Sequence, residues 1–351
     1  MKHVSNQSFK FDRIAEAVLS GGRLSKEDGL KLLQLQDFTQ VIKLADSVRK
    51  RVSGNKVLYA VTLCLYPTNI CEYSCPLCSF SHRSNKPFQY SQEELLKKVE
   101  DYLPYNINEI HIVSGLHRSM TLPYYTTLFT QIKSLAPQLH IKALSAIEIA
   151  HLAKHHCRTI EEVLLTLKSS GLGSLPGGGA EILNDAIRKQ ICPQKLVSEE
   201  FLTVHKTAHR LQIPSNITML YGHIEEDIHI IEHLDSVRRL QDETGGIIAF
   251  VPLKFRPENS GMANWPLNPK EAKRIFAISR LMLDNVCHIK ALWNYEGIDS
   301  AIESLKWGVD DLASTNIEEQ IMGRLPLTEE QLRMLIEKAG RVPLRVTSGA
   351  L

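Results

Sequence analysis

Three cysteines place the tightest constraint on this chain. Cys71, Cys75 and Cys78 are spaced C-x3-C-x2-C within Asn69-Ile70-Cys71-Glu72-Tyr73-Ser74-Cys75-Pro76-Leu77-Cys78-Ser79-Phe80. They follow directly on the apolar, strand-like run Leu58-Tyr59-Ala60-Val61-Thr62-Leu63-Cys64-Leu65-Tyr66. Three thiolates on a tight loop can hold three irons of a [4Fe–4S] cube, and the fourth cysteine of the usual set does not follow nearby. An iron without a protein ligand is open to a small molecule. Two other readings stand beside this one. A structural zinc site needs four ligands, and His82 follows at a distance that would complete a Cys3His knot. Against that, such knots staple small domains, and 351 residues can build a core without one. The remaining reading is three unligated cysteines.

Composition narrows the class. Hydrophobic content of 43% and charged content of 23% are ordinary for a globular protein. A net charge of +2 gives no electrostatic case for nucleic acid, which needs clustered basic surface. No apolar run approaches the ~20 residues that span a bilayer, and the polar start Met1-Lys2-His3-Val4-Ser5-Asn6-Gln7 is no signal peptide. An odd total of seven cysteines and an oxygen-sensitive cluster both point to a reducing, cytoplasmic setting. Cys64, Cys157, Cys192 and Cys287 read as small buried hydrophobes.

Residues 8–53 carry helical spacing, a cap ahead of the core. From residue 58 strand and helix patterns alternate, which argues for parallel βα units. Strands are expected at 109–115, 140–146, 215–223, 246–253 and 288–293. Capping boxes at Ser91-Gln92-Glu93-Glu94 and Thr159-Ile160-Glu161-Glu162 open intervening helices, and Asn268-Pro269 opens another. A last amphipathic helix follows Pro326. No repeat or low-complexity linker interrupts the pattern. One domain is therefore expected over 1–351: N-terminal helices to 57, a barrel core over 58–295, and a helical extension over 296–351.

In a parallel βα barrel, reactive groups sit at the C-terminal strand ends, where the βα loops meet. That rule selects the cluster loop after strand one and Ser114, Gly115 and His117 after strand two. It adds Ser145 and Glu148 after strand three, and the glycine-rich stretch Gly171–Glu181 after strand four. Tyr221 and His223 follow strand five, and Arg256 strand six. The glycine-rich stretch lacks both a dinucleotide fingerprint and a P-loop lysine; its glycines, Gly178 among them, let backbone approach a flat ligand. Blander roles remain open. Glu148 and Glu181 could be helix-start acids, and Arg256 could simply pair with Glu258.

The cysteine spacing resembles that of the radical S-adenosylmethionine (SAM) enzymes. Three further stretches are similar to the menaquinone and deazaflavin cofactor branch of that superfamily: Gly173-Ser174-Leu175-Pro176-Gly177-Gly178-Gly179-Ala180-Glu181-Ile182, Thr218-Met219-Leu220-Tyr221-Gly222-His223-Ile224-Glu225, and Gln241–Gly246 running on to Phe255-Arg256-Pro257-Glu258-Asn259-Ser260. Within it the chain most resembles the aminofutalosine synthases, beside the cyclic dehypoxanthine futalosine synthases and the tyrosine-using subunits of deazaflavin synthase. The resemblance implies a complete or partial TIM-type α/β barrel holding a [4Fe–4S] cluster and SAM. It also implies an electron donor such as flavodoxin or ferredoxin, with no nucleic-acid or membrane partner. Its chemistry would be addition of a 5′-deoxyadenosyl radical to the vinyl group of 3-[(1-carboxyvinyl)oxy]benzoate. Cys71, Cys75 and Cys78 would bind the cluster. Ser114, Gly115, Ser145, Glu148, Gly178 and Glu181 would face SAM. Arg256 and His117 would bind substrate, with Tyr221 and His223 orienting it or moving a proton. The family's aromatic residue before the third cysteine is Leu77 here, with Phe80 standing in for the adenine contact. Its usual Gly-Gly-Glu after strand two is Ser114-Gly115-Leu116.

Overall fold

The structure, a computed structural model, describes residues 2–78, 80, 86–321 and 326–348; His82 lies outside them. Ten strands are named in chain order: β1 (Lys56–Ala60), β2 (Thr62–Leu65), β3 (Glu109–Ile112), β4 (His140–Ala143), β5 (Leu172–Ser174), β6 (Ser215–Tyr221), β7 (Ile247–Lys254), β8 (His288–Ile289), β9 (Asp311–Ser314) and β10 (Val342–Arg345). Every pairing between them is parallel. They form sheets ordered β2-β3-β4-β5, β6-β7-β8 and β10-β1-β9. Parallel bridges Leu175↔Ser215, Lys290↔Asp311 and Leu63↔Ile317 join the sheets edge to edge. With β1 and β2 counted as one interrupted strand, the ring closes on eight, the complete (βα)8 barrel. Closure leaves these strands no open edge.

Hydrophobic patterning explains the layers. All seven residues of β6 are buried, as a strand covered on both faces requires. Alternate residues Asn216, Thr218 and Leu220 line the lumen, so the pleat turns Ile217, Met219 and Tyr221 outward beneath the helices. The N-terminal helices Lys26–Leu33 and Thr39–Ser53 pack over Asp227–Thr244 and Ala272–Met282. Three arginines fasten this cap. Arg23 bridges Asp242 and Asp284, and Arg238 and Arg274 donate to the carbonyls of Leu24 and Leu35. No helix among the described residues is long and apolar enough to cross a membrane.

Several boundaries differ from expectation. The core does not end at 295, and residues 296–351 are not a purely helical extension: β9 closes the ring and β10 adds a strand beside β1. Asp311-Leu312-Ala313-Ser314 is short and polar because its side chains meet a polar lumen, so it lacks the apolar alternation of a strand. The third strand stops at Ala143, where a helix expected as strand and loop, Ala146–His155, begins. A further helix, Asp185–Ile191, follows the glycine-rich stretch. At the barrel floor Ser348 donates its N–H to Glu109 Oε2 at 2.9 Å, and Lys142 bonds both Glu109 and the Ser348 hydroxyl. Cys157 and Cys287 are exposed, whereas Cys64 and Cys192 are buried; only the latter two fit the expectation.

Candidate active site

A cavity of about 260 Å³ opens at the C-terminal ends of the strands, and Cys71, Cys75 and Cys78 all lie on its wall. Two backbone amides aim at one thiol: Leu116 N–H donates to Cys71 Sγ at 3.3 Å, and Tyr73 N–H at 3.4 Å. The loop after β3 presses on the cysteine loop to bring the first of these about. Gly115 N–H bonds the Thr68 carbonyl at 2.8 Å and Glu72 N–H the Leu116 carbonyl at 2.7 Å. A Cβ on Gly115 would stand 2.2 Å from the Ile70 carbonyl oxygen, so only glycine allows this approach.

Burial raises the Cys75 thiol to about 12, so it is protonated until a metal displaces the proton. The cavity wall carries three thiols and, among the described residues, no fourth cysteine and no histidine. Nor do any three His, Cys, Asp or Glu side chains among them converge tightly enough for a single metal ion. This donor set fits a cube held at three corners; His82, the fourth ligand that a zinc knot would take, lies outside the described residues.

Around the thiols the expected cofactor residues come together. Phe80, Ser114, Gly115, Ser145, Glu148, Gly178 and Glu181 all line the cavity. Ser145 caps the helix Ala146–His155 in a box with Glu148. One Glu148 oxygen accepts from the Ser145 N–H and hydroxyl, each at 2.7 Å, and the other from Ser114 N–H at 2.9 Å. Burial nevertheless lifts the Glu148 carboxyl to about 7 against those donors. Glu148 is thus both a cap and a wall residue. Phe80 sits with its ring centroid 5.7 Å from that of Tyr66.

The glycine-rich stretch works differently from its expected role. A Cβ on Gly177 would lie 2.0 Å from the Asn216 carbonyl oxygen, and one on Gly179 2.5 Å from the Ile147 side chain. These glycines admit neighbouring protein. Gly178 alone of the three faces open space, on the cavity wall. Arg188, buried, donates to the carbonyls of Ala180, Ile182 and Leu196 and holds the stretch in place.

Sequence reasoning missed Lys195. It lines the cavity and bonds Glu181 Oε1 at 2.5 Å. Burial works against its charge, yet Glu181 and the neighbouring thiols of Cys75, Cys78 and Cys192 hold its pKa above the usual lysine value. Burial likewise opposes ionisation of Glu181, and Lys195 outweighs it to keep that carboxylate below its usual range. Lys195 reaches the cysteines from the loop after the unexpected helix, and no local pattern marks it. Lys254 ends β7. It shares the cavity wall with Arg256, two residues on.

Arg256 donates through Nε to the Tyr295 carbonyl at 3.1 Å, and its Nη1 lies 4.0 Å from Glu258, which is largely exposed. Tyr221, His223 and His117 are not on the wall. Tyr221 points outward from β6 and donates to Glu296 at 2.7 Å. His223 is fully buried, with Nε2 3.1 Å from the Leu220 carbonyl and Nδ1 3.1 Å from Glu225; burial lowers it to about 4. His117 turns to Ser119, 2.6 Å away. The pleat of β6 and the turn at Gly222 carry Tyr221 and His223 away from the mouth, and Ser119 holds the His117 ring, so contact roles expected for the three are not met in this geometry.

Comparison with known proteins agrees with the cysteine loop and barrel. Residues 65–237 match the Radical SAM superfamily, and residues 244–346 match the CofH/MqnC C-terminal region. The chain is 40% identical to aminodeoxyfutalosine synthase of Thermus thermophilus, over 94% of this chain and 92% of that protein. It is 37% identical to the 5-amino-6-(D-ribitylamino)uracil--L-tyrosine 4-hydroxyphenyl transferase of Archaeoglobus fulgidus, over 88% and 92%. The crystal structure of methylornithine synthase (PylB) shares the fold, with a TM-score of 0.76 at 17% identity over 95% of this chain and 97% of that one. With its three-cysteine cavity at the mouth of a closed parallel barrel, the chain belongs to the radical SAM superfamily of enzymes, which use a [4Fe–4S] cluster and SAM.

Proposed function

We propose that this enzyme is an aminodeoxyfutalosine synthase, joining the adenosyl part of SAM to 3-[(1-carboxyvinyl)oxy]benzoate in menaquinone biosynthesis. The observation that carries the reading is 40% identity across nearly the whole of both chains to a protein of that name, together with a cavity whose wall holds three thiols and three cations. When bound, the cluster and SAM supply the electron and the adenosyl radical that adds to the substrate's vinyl group.

The chain's own residues bind, orient and exclude water. Cys71, Cys75 and Cys78 hold the cluster. Phe80, Ser114, Gly115, Ser145, Gly178 and the carboxyls of Glu148 and Glu181 form the SAM wall. Arg256 has its Nε edge on Tyr295, which leaves its other edge for a substrate carboxylate, with Lys254 beside it. Leu77, Leu116, Ile147, Leu220 and Leu253 dry the space between, which strengthens every polar contact made there. Tyr221 and His223 support the wall from behind. Such a reaction needs a one-electron donor of flavodoxin or ferredoxin type in a reducing cytoplasm.

A second reading comes from the relative at 37% identity, named as a 4-hydroxyphenyl transferase acting on tyrosine and 5-amino-6-(D-ribitylamino)uracil. The two separate in one assay. Protein reconstituted anaerobically with iron and sulfide is given SAM, reductant and either the enolpyruvyl benzoate or tyrosine with 5-amino-6-(D-ribitylamino)uracil, and products are read by mass. Aminodeoxyfutalosine from the first mixture alone is the expected result. Product from the second mixture alone would overturn the proposal.

A further inference from the structure

Beneath the cysteine-lined cavity lies a second chamber of about 190 Å³, inside the barrel. The two share Val113, Gly178, Thr218, Leu253, Tyr295 and Ile321 as walls, so the two spaces adjoin. The inner chamber is polar in a way that packing does not require. His111, in register with Cys64 on β2 and Lys142 on β4, lines it. Its ring makes no hydrogen bond to the described residues. Burial, then Lys142 nearby, lowers its pKa to about 3 and keeps it neutral, so one ring nitrogen donates and the other accepts.

Two more groups are unsatisfied. Asn216 Oδ1 and Asn316 Nδ2 are buried without a partner, and both residues line the chamber. Native proteins rarely leave such atoms unpaired. The floor carries two ammonium groups. Lys142 is held by Glu109 and Lys290 lies 3.0 Å from Asp311; neither acid is on the chamber wall. Each ammonium has three donors, and these fixed partners do not exhaust them. The acid on the wall, Glu319, lies past the end of β9 and accepts from the Tyr66 hydroxyl at 2.9 Å, at the upper end. Apolar Val251, Pro176 and Leu292 fill the sides.

We infer that this inner chamber seats the ring carboxylate of an aromatic dicarboxylate, with Lys142, Lys290, His111 and Asn316 as its donors and the enolpyruvyl end directed up to the cysteines. The inference rests on the substrate class proposed above and adds the subsite that selects it. A flat ring fits between the apolar sides, and a carboxylate at the floor gives the open donors their acceptor. The subsite thereby discriminates against an otherwise identical ligand without the ring carboxylate, because the buried donors would then stay unpaired.

The test is binding to the reconstituted protein with SAM present and no reductant. The probes are 3-[(1-carboxyvinyl)oxy]benzoate and 2-phenoxyprop-2-enoate, which lacks the ring carboxylate. The unmodified protein is expected to favour the first at least tenfold. His111→Leu is expected to weaken the dicarboxylate about tenfold or more and the mono-acid less than twofold, with His111→Gln restoring most of the preference. Lys290→Met combined with Asp311→Asn removes one ammonium without leaving its acid unpaired, and is expected to erase the preference as well. Thermal midpoint and iron content show that each variant is folded and loaded. Equal weakening of both probes, or an unchanged preference in folded variants, would overturn the chamber while leaving the functional reading intact. No binding of the dicarboxylate by the unmodified protein would overturn both.

Discussion

A methyl group is enough to test the contact between the loop after β3 and the cysteine loop. Gly115→Ala places its Cβ 2.2 Å from the Ile70 carbonyl, and backbone cannot rotate away as a side chain would. One of the two loops must move, at about 1–3 kcal/mol, and Leu116 N–H leaves Cys71 Sγ. Reconstituted Gly115→Ala protein is expected to hold less iron per chain and to unfold earlier, both read directly by metal analysis and calorimetry. Lys195 gives a second test. Lys195→Met strands Glu181 in a buried site, a loss of about 3–5 kcal/mol. The double variant with Glu181→Gln is expected to recover much of that in urea unfolding. Additive losses in this cycle would show that the pair is not coupled.

Helix caps connect stability to the site at the scale of elements. Ser145→Ala removes the cap of Ala146–His155 and is expected to cost about 1 kcal/mol, measured by urea denaturation of the cluster-free protein. It also strips one donor, the hydroxyl, from Glu148. The signal for this helix was present in the chain as Ser145-Ala146-Ile147-Glu148, a capping-box pattern, but the strand-like Ile141-Lys142-Ala143-Leu144 before it blurred the boundary. Elements with continuous apolar runs, such as β6 and β7, were legible because both faces are covered. Asp311–Ser314 was not, since pairing with distant β1 and β8 makes it a strand where its own residues do not. The cysteine loop and the rims holding Ser114, Ser145 and Glu181 were readable from strand order alone. Which way Tyr221 or His223 points was not, because one residue of register reverses the face.

The molecule as a whole should be sensitive to acid. Burial lowers five histidines, His111, His205 and His233 to about 3 and His209 and His223 to about 4. Unfolded, each takes up a proton below about 6.5; folded, each refuses it until far lower. Below pH 6.5 the unfolded chain therefore binds more protons through these groups, and stability falls as pH falls. Glu148 and Glu225, both raised to about 7 by burial, act oppositely between about 4.5 and 7, since there the folded state holds the extra proton. Burial also lowers His140 and raises Glu296 and Asp311, so the lowered histidines outnumber the raised carboxyls six to four and unfolding near pH 5.5 takes up protons on balance. Chemical denaturation midpoints of the cluster-free protein are expected to drop steadily from pH 7 to pH 5. A flat profile would mean that these histidines titrate freely.

The bridge Leu63↔Ile317 joins residues 254 positions apart, and it sets a schedule for maturation. On the ribosome the three thiols emerge long before the segment that shuts the ring behind them, and such distant pairings form late. For that interval the cysteine loop hangs from an open sheet with an unguarded edge. Iron and sulfur delivered then would meet a half-built mouth, so loading belongs after release, once the last strand has locked.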